Sequence, residues 1–188
     1  MFMSKDKRYN TKSLYFPNRI TKILKGILEH PLTVIEAPMG YGKTTAAREY
    51  LSSAKVNMLW QRVYDSGAAG FWNEFTGLFR GLDNDRSQSL AQMGFPEDAV
   101  SIYKAVQLIE DIKLTDKTVL VMDDYHLADS PGLNSFIEHL AEHKINNLHI
   151  VLTTRFVKFQ RLEELALKGC VLHITKETFE LTPKEIME

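Results

Sequence analysis

Cysteine is almost absent: Cys170 stands alone in 188 residues, which excludes an internal disulfide and any cysteine-based metal cluster and fits a reducing cytoplasm. Its usual preference for burial makes it a core residue. Long apolar runs are absent too. The longest, such as Val119-Leu120-Val121-Met122, are strand-sized, far short of a membrane span, and the first eight residues have no apolar signal core. The expectation is a soluble, cytoplasmic protein with no membrane partner. Nor is there an excess of either charge. Lys plus Arg number 23 against 24 for Asp plus Glu, so no global positive field attracts a phosphate backbone, and direct DNA binding by this chain is not expected. No repeat or low-complexity tract appears, and only the polar, basic stretch 1–15 reads as a flexible N-terminal segment. What remains is 44% hydrophobic, enough for one core and one domain.

The rest of the chain alternates between two periodicities. Asn18 is placed to cap a helix carrying Ile20, Ile23, Leu24, Ile27 and Leu28 at helical spacing, and Pro31 ends it before the strand Leu32-Thr33-Val34-Ile35. Helical patterns follow at about 43–54, 71–82, 97–112, 133–143 and 162–167, and strand patterns at about 58–63, 118–122, 148–153 and 171–174. Five strands alternating with helices predict a three-layer α/β sandwich, a parallel sheet with helices on both faces.

The first strand runs into Ala37-Pro38-Met39-Gly40-Tyr41-Gly42-Lys43-Thr44. This is the phosphate-loop pattern G-x-x-x-x-G-K-[ST] with Ala37 in place of the first glycine. Pro38 has no N–H to donate, but the backbone from Gly40 through Tyr41, Gly42, Lys43 and Thr44 to Thr45 can converge on phosphate oxygens at a helix N-terminus. Pro38 and Met39 complete the nucleotide-binding set. Lys43 supplies fixed positive charge for the β- and γ-phosphates, and the Thr44 hydroxyl is placed to ligate magnesium. Ala37 is small and tolerable if its φ stays negative.

A second element is the apolar strand ending in Asp123-Asp124, followed by Tyr125-His126. Beside a phosphate loop, Asp123 is the magnesium ligand and Asp124 the group that activates the attacking water. His126 reads as a packing residue rather than a catalyst, because no partner constellation is visible. A third element is the strand ending in Thr153-Thr154-Arg155. Ligands of open α/β sheets bind at strand carboxyl ends, so these residues face the same crevice, where the planar fork of Arg155 matches γ-phosphate oxygens. Trp60, Phe71 and Trp72 read as packing residues rather than a platform for stacking bases.

Ala37 to Thr45, Val121-Met122-Asp123-Asp124-Tyr125-His126 and Leu152-Thr153-Thr154-Arg155 together resemble the ATPase module of MalT-like, large ATP-dependent LuxR-type transcription regulators, which are STAND-class P-loop switch ATPases. The resemblance runs from about Phe16 to Thr182, and the region 82–94 adds little to it. Met39 departs from the small residue frequent in such proteins. The resemblance implies an ASCE/AAA-like strand order in which the strand ending at Arg155 lies between the phosphate-loop strand and the Asp123 strand, so that Asp124 and Arg155 flank the γ-phosphate. It implies ATP or ADP with magnesium as cofactors. It also implies a helical lid, a winged helix, an inducer-binding region and a DNA-binding helix-turn-helix downstream, with nucleotide-dependent self-association of the full-length protein.

The expected domain is 16–181. Thr182-Pro183-Lys184-Glu185 combines a capping threonine, a proline at the first helical position and a glutamate at the third, so 182–188 reads as the start of a further, truncated helical domain. The expected function is a switch that binds Mg-ATP and hydrolyses it slowly. Two alternatives stand beside it. One is a self-contained P-loop phosphotransferase or ATPase; a phosphotransferase should carry an arginine-rich acceptor lid, and no such cluster follows the loop. A non-hydrolysing interaction module is opposed by the presence of Lys43, Asp123 and Asp124 together.

Overall fold

The computed structural model describes residues 17–64, 67–180, 182 and 185, and in it each apolar run becomes a strand of one parallel sheet. The strands are β1 (Leu32–Glu36), β2 (Asn57–Arg62), β3 (Thr118–Asp123), β4 (Leu148–Thr154) and β5 (Val171–Ile174), in the order β2-β3-β4-β1-β5. All four pairings are parallel. The strand carrying Arg155 at its end therefore lies between the phosphate-loop strand and the Asp123 strand, as the family resemblance implies.

Because successive strand side chains point to opposite faces, the sequence parity sorts the core into two layers. Leu32, Val34, Leu120, Met122, Ile150 and Leu152 pack on one face, and Ile35, Val119, Val121 and Val151 on the other. The second face is covered by α1 (Asn18–Leu24), which continues as a 3-10 turn Lys25–Leu28, and by α2 (Lys43–Ser53). The first is covered by α3 (Gly67–Leu78), α4 (Asn84–Met93), α5 (Ala99–Glu110), α6 (Pro131–His143) and α7 (Leu162–Leu167). Cys170 is buried in that layer. No helix among the described residues is long and apolar enough to cross a membrane.

Two local expectations need correction. Asn18 does not cap α1: the helix is capped by Pro17, whose carbonyl accepts the N–H of Ile20 at 2.9 Å, and Asn18 is the first helical residue. The helix expected over 71–82 begins at Gly67, because small residues at 67–70 give no periodic apolar signal; it continues through a 3-10 turn, Phe79–Gly81. The uninformative stretch at 82–94 holds α4. That helix is polar, buries only Ser87 and Leu90, and is started by Asp83, whose side chain accepts the N–H of Arg86 at 3.0 Å. A capping box of Asp98 and Ser101 starts α5.

At the end of the chain, the capping signal at 182–185 is partly realised in the two described residues. The Thr182 N–H donates to the Glu185 carboxylate at 2.7 Å, and the Glu185 N–H donates to the Thr182 hydroxyl at 3.4 Å. Arg19 of α1 holds this end, donating to the Thr178 carbonyl at 2.6 Å, the Glu180 carbonyl at 2.9 Å and Glu185 at 3.4 Å. The expected flexible segment 1–15 lies outside the described residues.

Aromatic packing dominates the larger layer. Trp72 stacks on Phe75 at 5.2 Å, meets Phe136 edge-on at 5.3 Å, and donates its indole N–H to the Leu90 carbonyl at 2.9 Å. Such a site collapses poorly when emptied. Trp72→Ala is expected to lower unfolding stability by about 3–5 kcal/mol in urea titrations, whereas Val100→Ala on the exposed face of α5 should change it by no more than about 0.5 kcal/mol.

Packing of α6 on α7 is fastened by ions. Arg161 bonds Glu142 at 2.8 Å and Glu164 at 2.9 Å, and Lys168 bonds the same two carboxylates at 2.7 and 2.6 Å. Hydrogen bonds from Arg161, then Lys168, pull the Glu142 carboxyl from its ordinary 4.5 down to about 2. A depressed carboxylate contributes stability above its unfolded value and loses it as pH falls toward the folded one. Solvent screening keeps these exposed pairs weak. The stability difference between the parent and Glu142→Gln, followed by circular dichroism, is expected to shrink as pH falls from about 4.5 toward about 2.

Candidate functional site

The carboxyl ends of β1, β3 and β4 converge because these strands are neighbours in a parallel sheet. At the end of β1 the chain turns through the loop 37–42 into α2. Ala37 is buried, and its N–H donates to the Thr154 carbonyl at 3.2 Å, so the substituted first position continues the β1–β4 pairing. Gly40 and Gly42 have φ of +90° and +77°. A Cβ at either position would meet nothing within 4 Å, so the glycines are required by backbone conformation rather than by crowding within the protein. Gly42 is the N-cap of α2 and has no side chain to satisfy the first turn. The N–H groups of Lys43, Thr44 and Thr45 therefore lack intrahelical partners and are available to an anion.

Lys43 is 8% exposed. Its ammonium donates to the carbonyls of Ala37 at 2.7 Å and Pro38 at 3.0 Å, folded back along the loop. Burial pushes its pKa down; Asp124 opposes that shift, Arg155 adds to it, and Asp123 opposes it. The Thr44 hydroxyl donates to Asp123 Oδ1 at 2.6 Å. Parity explains this contact: Asp123 follows Val119 and Val121 on the α2 face of the sheet, so the strand aims it at the helix that carries Thr44. A hydroxyl and a carboxylate are the hard oxygen donors that magnesium takes, with the rest of its shell left to water and phosphate. Among the described residues no group of three or more His, Cys, Asp or Glu could hold a metal without such help.

Asp124 lies just beyond β3 in the left-handed region, φ +61°. The turn after it is pinned by Tyr125, fully buried, whose hydroxyl donates to Asn134 Oδ1 at 2.7 Å; burial raises the phenol pKa well above 10. His126 packs its ring against Phe156 at 5.9 Å. Burial, then the charge of Arg155, pushes the pKa of His126 down, while Asp124 opposes. Its packing role agrees with the sequence, although its Nδ1 is buried with no partner among the described residues.

Arg155 is exposed and forms no ion pair among the described residues; its guanidinium rests 3.6 Å from the sulfur of Met39, which is 76% exposed. Tyr41 is also exposed on the loop. Asp124 and Arg155 thus stand at adjacent strand ends beside Lys43. Trp60 lies partly buried under the Arg48 guanidinium at 4.6 Å, and Phe71 and Trp72 are core, so all three are packing residues.

Two features of the site carry no individual sequence signal. Glu36, the last residue of β1, bonds His173 of β5 at 2.8 Å, and the pair borders a cavity of about 370 Å³ whose wall includes Pro38 and Arg155. The buried Thr153 contacts both members of Asp123-Asp124; only its parity, shared with Asp123, hints at that. A second cavity, of about 430 Å³, lies away from the loop, between α6 and the segment 158–161.

The chain matches no family model. It is 26% identical over 174 residues to the HTH-type transcriptional regulator MalT of Vibrio parahaemolyticus, covering 89% of this chain and 19% of the regulator. It is 22% identical over 176 residues to MalT of Yersinia enterocolitica, covering 91% and 19%. The serine/threonine-protein kinase PknK of Mycobacterium tuberculosis is 26% identical over 151 residues, 77% of this chain and 14% of that protein. The chain thus spans about a fifth of the length of the MalT relatives. Among solved structures, a Walker-type ATPase of Pyrococcus abyssi superposes with a TM-score of 0.54 at 15% identity, covering 92% of this chain and 58% of that one. The protein is a five-stranded parallel α/β domain of the P-loop ATPase fold, with weak but consistent homology to the MalT regulators over 89% of its length.

Proposed function

We propose that this chain is the nucleotide-binding switch domain of a larger signal-responsive transcription regulator, which holds Mg-ATP on the loop 37–45 and hydrolyses it slowly. The observation that carries the reading is the 2.6 Å hydrogen bond from Thr44 to Asp123, because it brings the end of the phosphate loop and the acidic strand end into one oxygen-lined site. Magnesium, when bound there, would supply positive charge between phosphate oxygens and be held by Thr44 and Asp123.

Every other role falls to the chain's own groups. The N–H groups between Gly40 and Thr45 cradle phosphate oxygens. Lys43, whose ammonium rests on two loop carbonyls, exchanges these neutral acceptors for phosphate charge. The Asp124 carboxylate takes the proton of the attacking water. Arg155, with its fork unpaired, contacts the γ-phosphate and so distinguishes ATP from ADP. Likeness to MalT supports a regulatory role, in which DNA contact, inducer binding and nucleotide-dependent self-association belong to other parts of a cytoplasmic protein. In the larger regulator, a following helical domain would close over the nucleotide.

Lys43→Ala is expected to weaken magnesium-dependent ATP binding by at least about tenfold, the worth of a charge-assisted contact, with folding retained by circular dichroism. Calorimetry giving equal affinities for parent and variant would remove the phosphate loop from the assignment.

Asp124→Asn is expected to keep ATP affinity within about threefold while slowing single-turnover hydrolysis by roughly 10²–10⁴, the usual worth of a general base. Equal rates in the two proteins would exclude Asp124 as the group that takes the proton.

A further inference from the structure

We propose that Thr153 is a positioning residue that fixes Asp123 and Asp124 relative to one another, and through them the magnesium ligand and the water-activating carboxylate; this rests on the nucleotide-site reading above. The Thr153 side chain is wholly buried near the end of β4. Its hydroxyl has one proton and two lone pairs. The proton goes to Asp123 Oδ1 at 2.5 Å, and a lone pair accepts the Asp124 N–H at 3.2 Å. One side chain therefore engages the carboxylate of the first acid and the backbone of the second.

The place where this happens is where the sheet stops helping. Pairing of β3 with β4 ends at Met122 and Leu152, whereas Thr153 is still paired with Ile35 of β1. The backbone of Thr153 is thus anchored on one side while β3 departs on the other, and Asp124 leaves the strand with φ +61°. The Thr153 hydroxyl supplies the acceptor that the ladder no longer offers to the Asp124 N–H, and so holds a left-handed residue that nothing in its own side chain requires. The same hydroxyl donates to the Asp123 oxygen that receives the Thr44 hydroxyl. Two donors from different elements fix that oxygen in direction, leaving the carboxylate's other oxygen unconstrained by them. Valine has the shape of threonine without the hydroxyl, so Thr153→Val removes both bonds and little volume.

The test compares the parent with Thr153→Val, Thr153→Ala and Thr153→Ser in three measurements. The first needs no nucleotide: amide exchange at Asp124, read by NMR, should be slow in the parent and Thr153→Ser and at least about tenfold faster in the folded Val or Ala variant. The second is the magnesium concentration giving half-maximal ATP binding, which should rise by about 10–100-fold in Val or Ala, the usual effect of losing a group that orients a metal ligand, and return toward the parent in Ser. The third is ATP affinity without magnesium, which should stay unchanged. A folded Val or Ala variant with the parent's exchange rate and magnesium midpoint would overturn the proposal, as would a Ser variant that behaves like Ala. If Val does not fold, Ala and Ser decide the question by the same criteria. Slower exchange in the parent together with no magnesium-dependent nucleotide binding would leave the hydrogen-bond bridge standing and overturn both the nucleotide-site reading and the role assigned here to that bridge.

Discussion

The hydrogen bond between Thr44 and Asp123 joins residues 79 positions apart, and the organisation of the rest follows from what it takes to bring them together. Thr44 must sit in the first turn of a helix that starts immediately after a strand, and Asp123 must end a second strand with its side chain on the same face as that helix. A parallel sheet meets both conditions, because all its strands deliver their carboxyl ends to one edge. The strand between them, β4, sets the separation, and Val119 and Val121 set the parity that aims Asp123 at α2. Two packed layers are needed to hold five strands in this register. The aromatic group around Trp72 fills one, and the aliphatic contacts of α1 and α2 fill the other.

Electrostatics at this edge is local. The whole chain is almost neutral, yet the charges of Asp124, Arg155 and Asp123 all bear on Lys43, the two acids opposing the lowering of its pKa by burial and the arginine adding to it. The ammonium rests on carbonyl oxygens and not on the nearby carboxylates. It thereby stays hydrogen-bonded in a buried position, where an unpaired ammonium would be costly, without neutralising the acids. Arg155, by contrast, is left against a thioether, a weak acceptor for a guanidinium. Among the described residues, the site therefore holds one buried cation bonded to carbonyl oxygens and one exposed cation with no ion-pair partner.

Much of this was legible in the sequence because it depends on period and on a few residue types. Apolar runs marked the strands, and the glycines, Lys43 and the acid pair marked the site. What could not be read depends on contacts made across the fold. The α4 helix is polar and buries little, so it has no amphipathic signature. Asn18 and a true cap look alike until the carbonyl that starts the helix is identified as that of Pro17. Thr153 looks like any β-branched strand residue, since its role depends on where pairing with β3 ends. Glu36 and His173 are 137 positions apart and meet only because β1 and β5 are neighbours.

The attachment of Arg19 has a mechanical meaning. Its guanidinium grips two carbonyls and a carboxylate between Thr178 and Glu185, and the helix it belongs to packs directly on α2 through Ile20 and Leu24. A pull or twist applied at Glu185 is consequently delivered not to the nearby edge strand alone but to the helix lying against the one that opens at Gly42. Displacement near Glu185 and geometry at the phosphate loop are thus coupled through Arg19, the buried Phe179 and the contact of α1 with α2, the arrangement of a short lever bearing on its load.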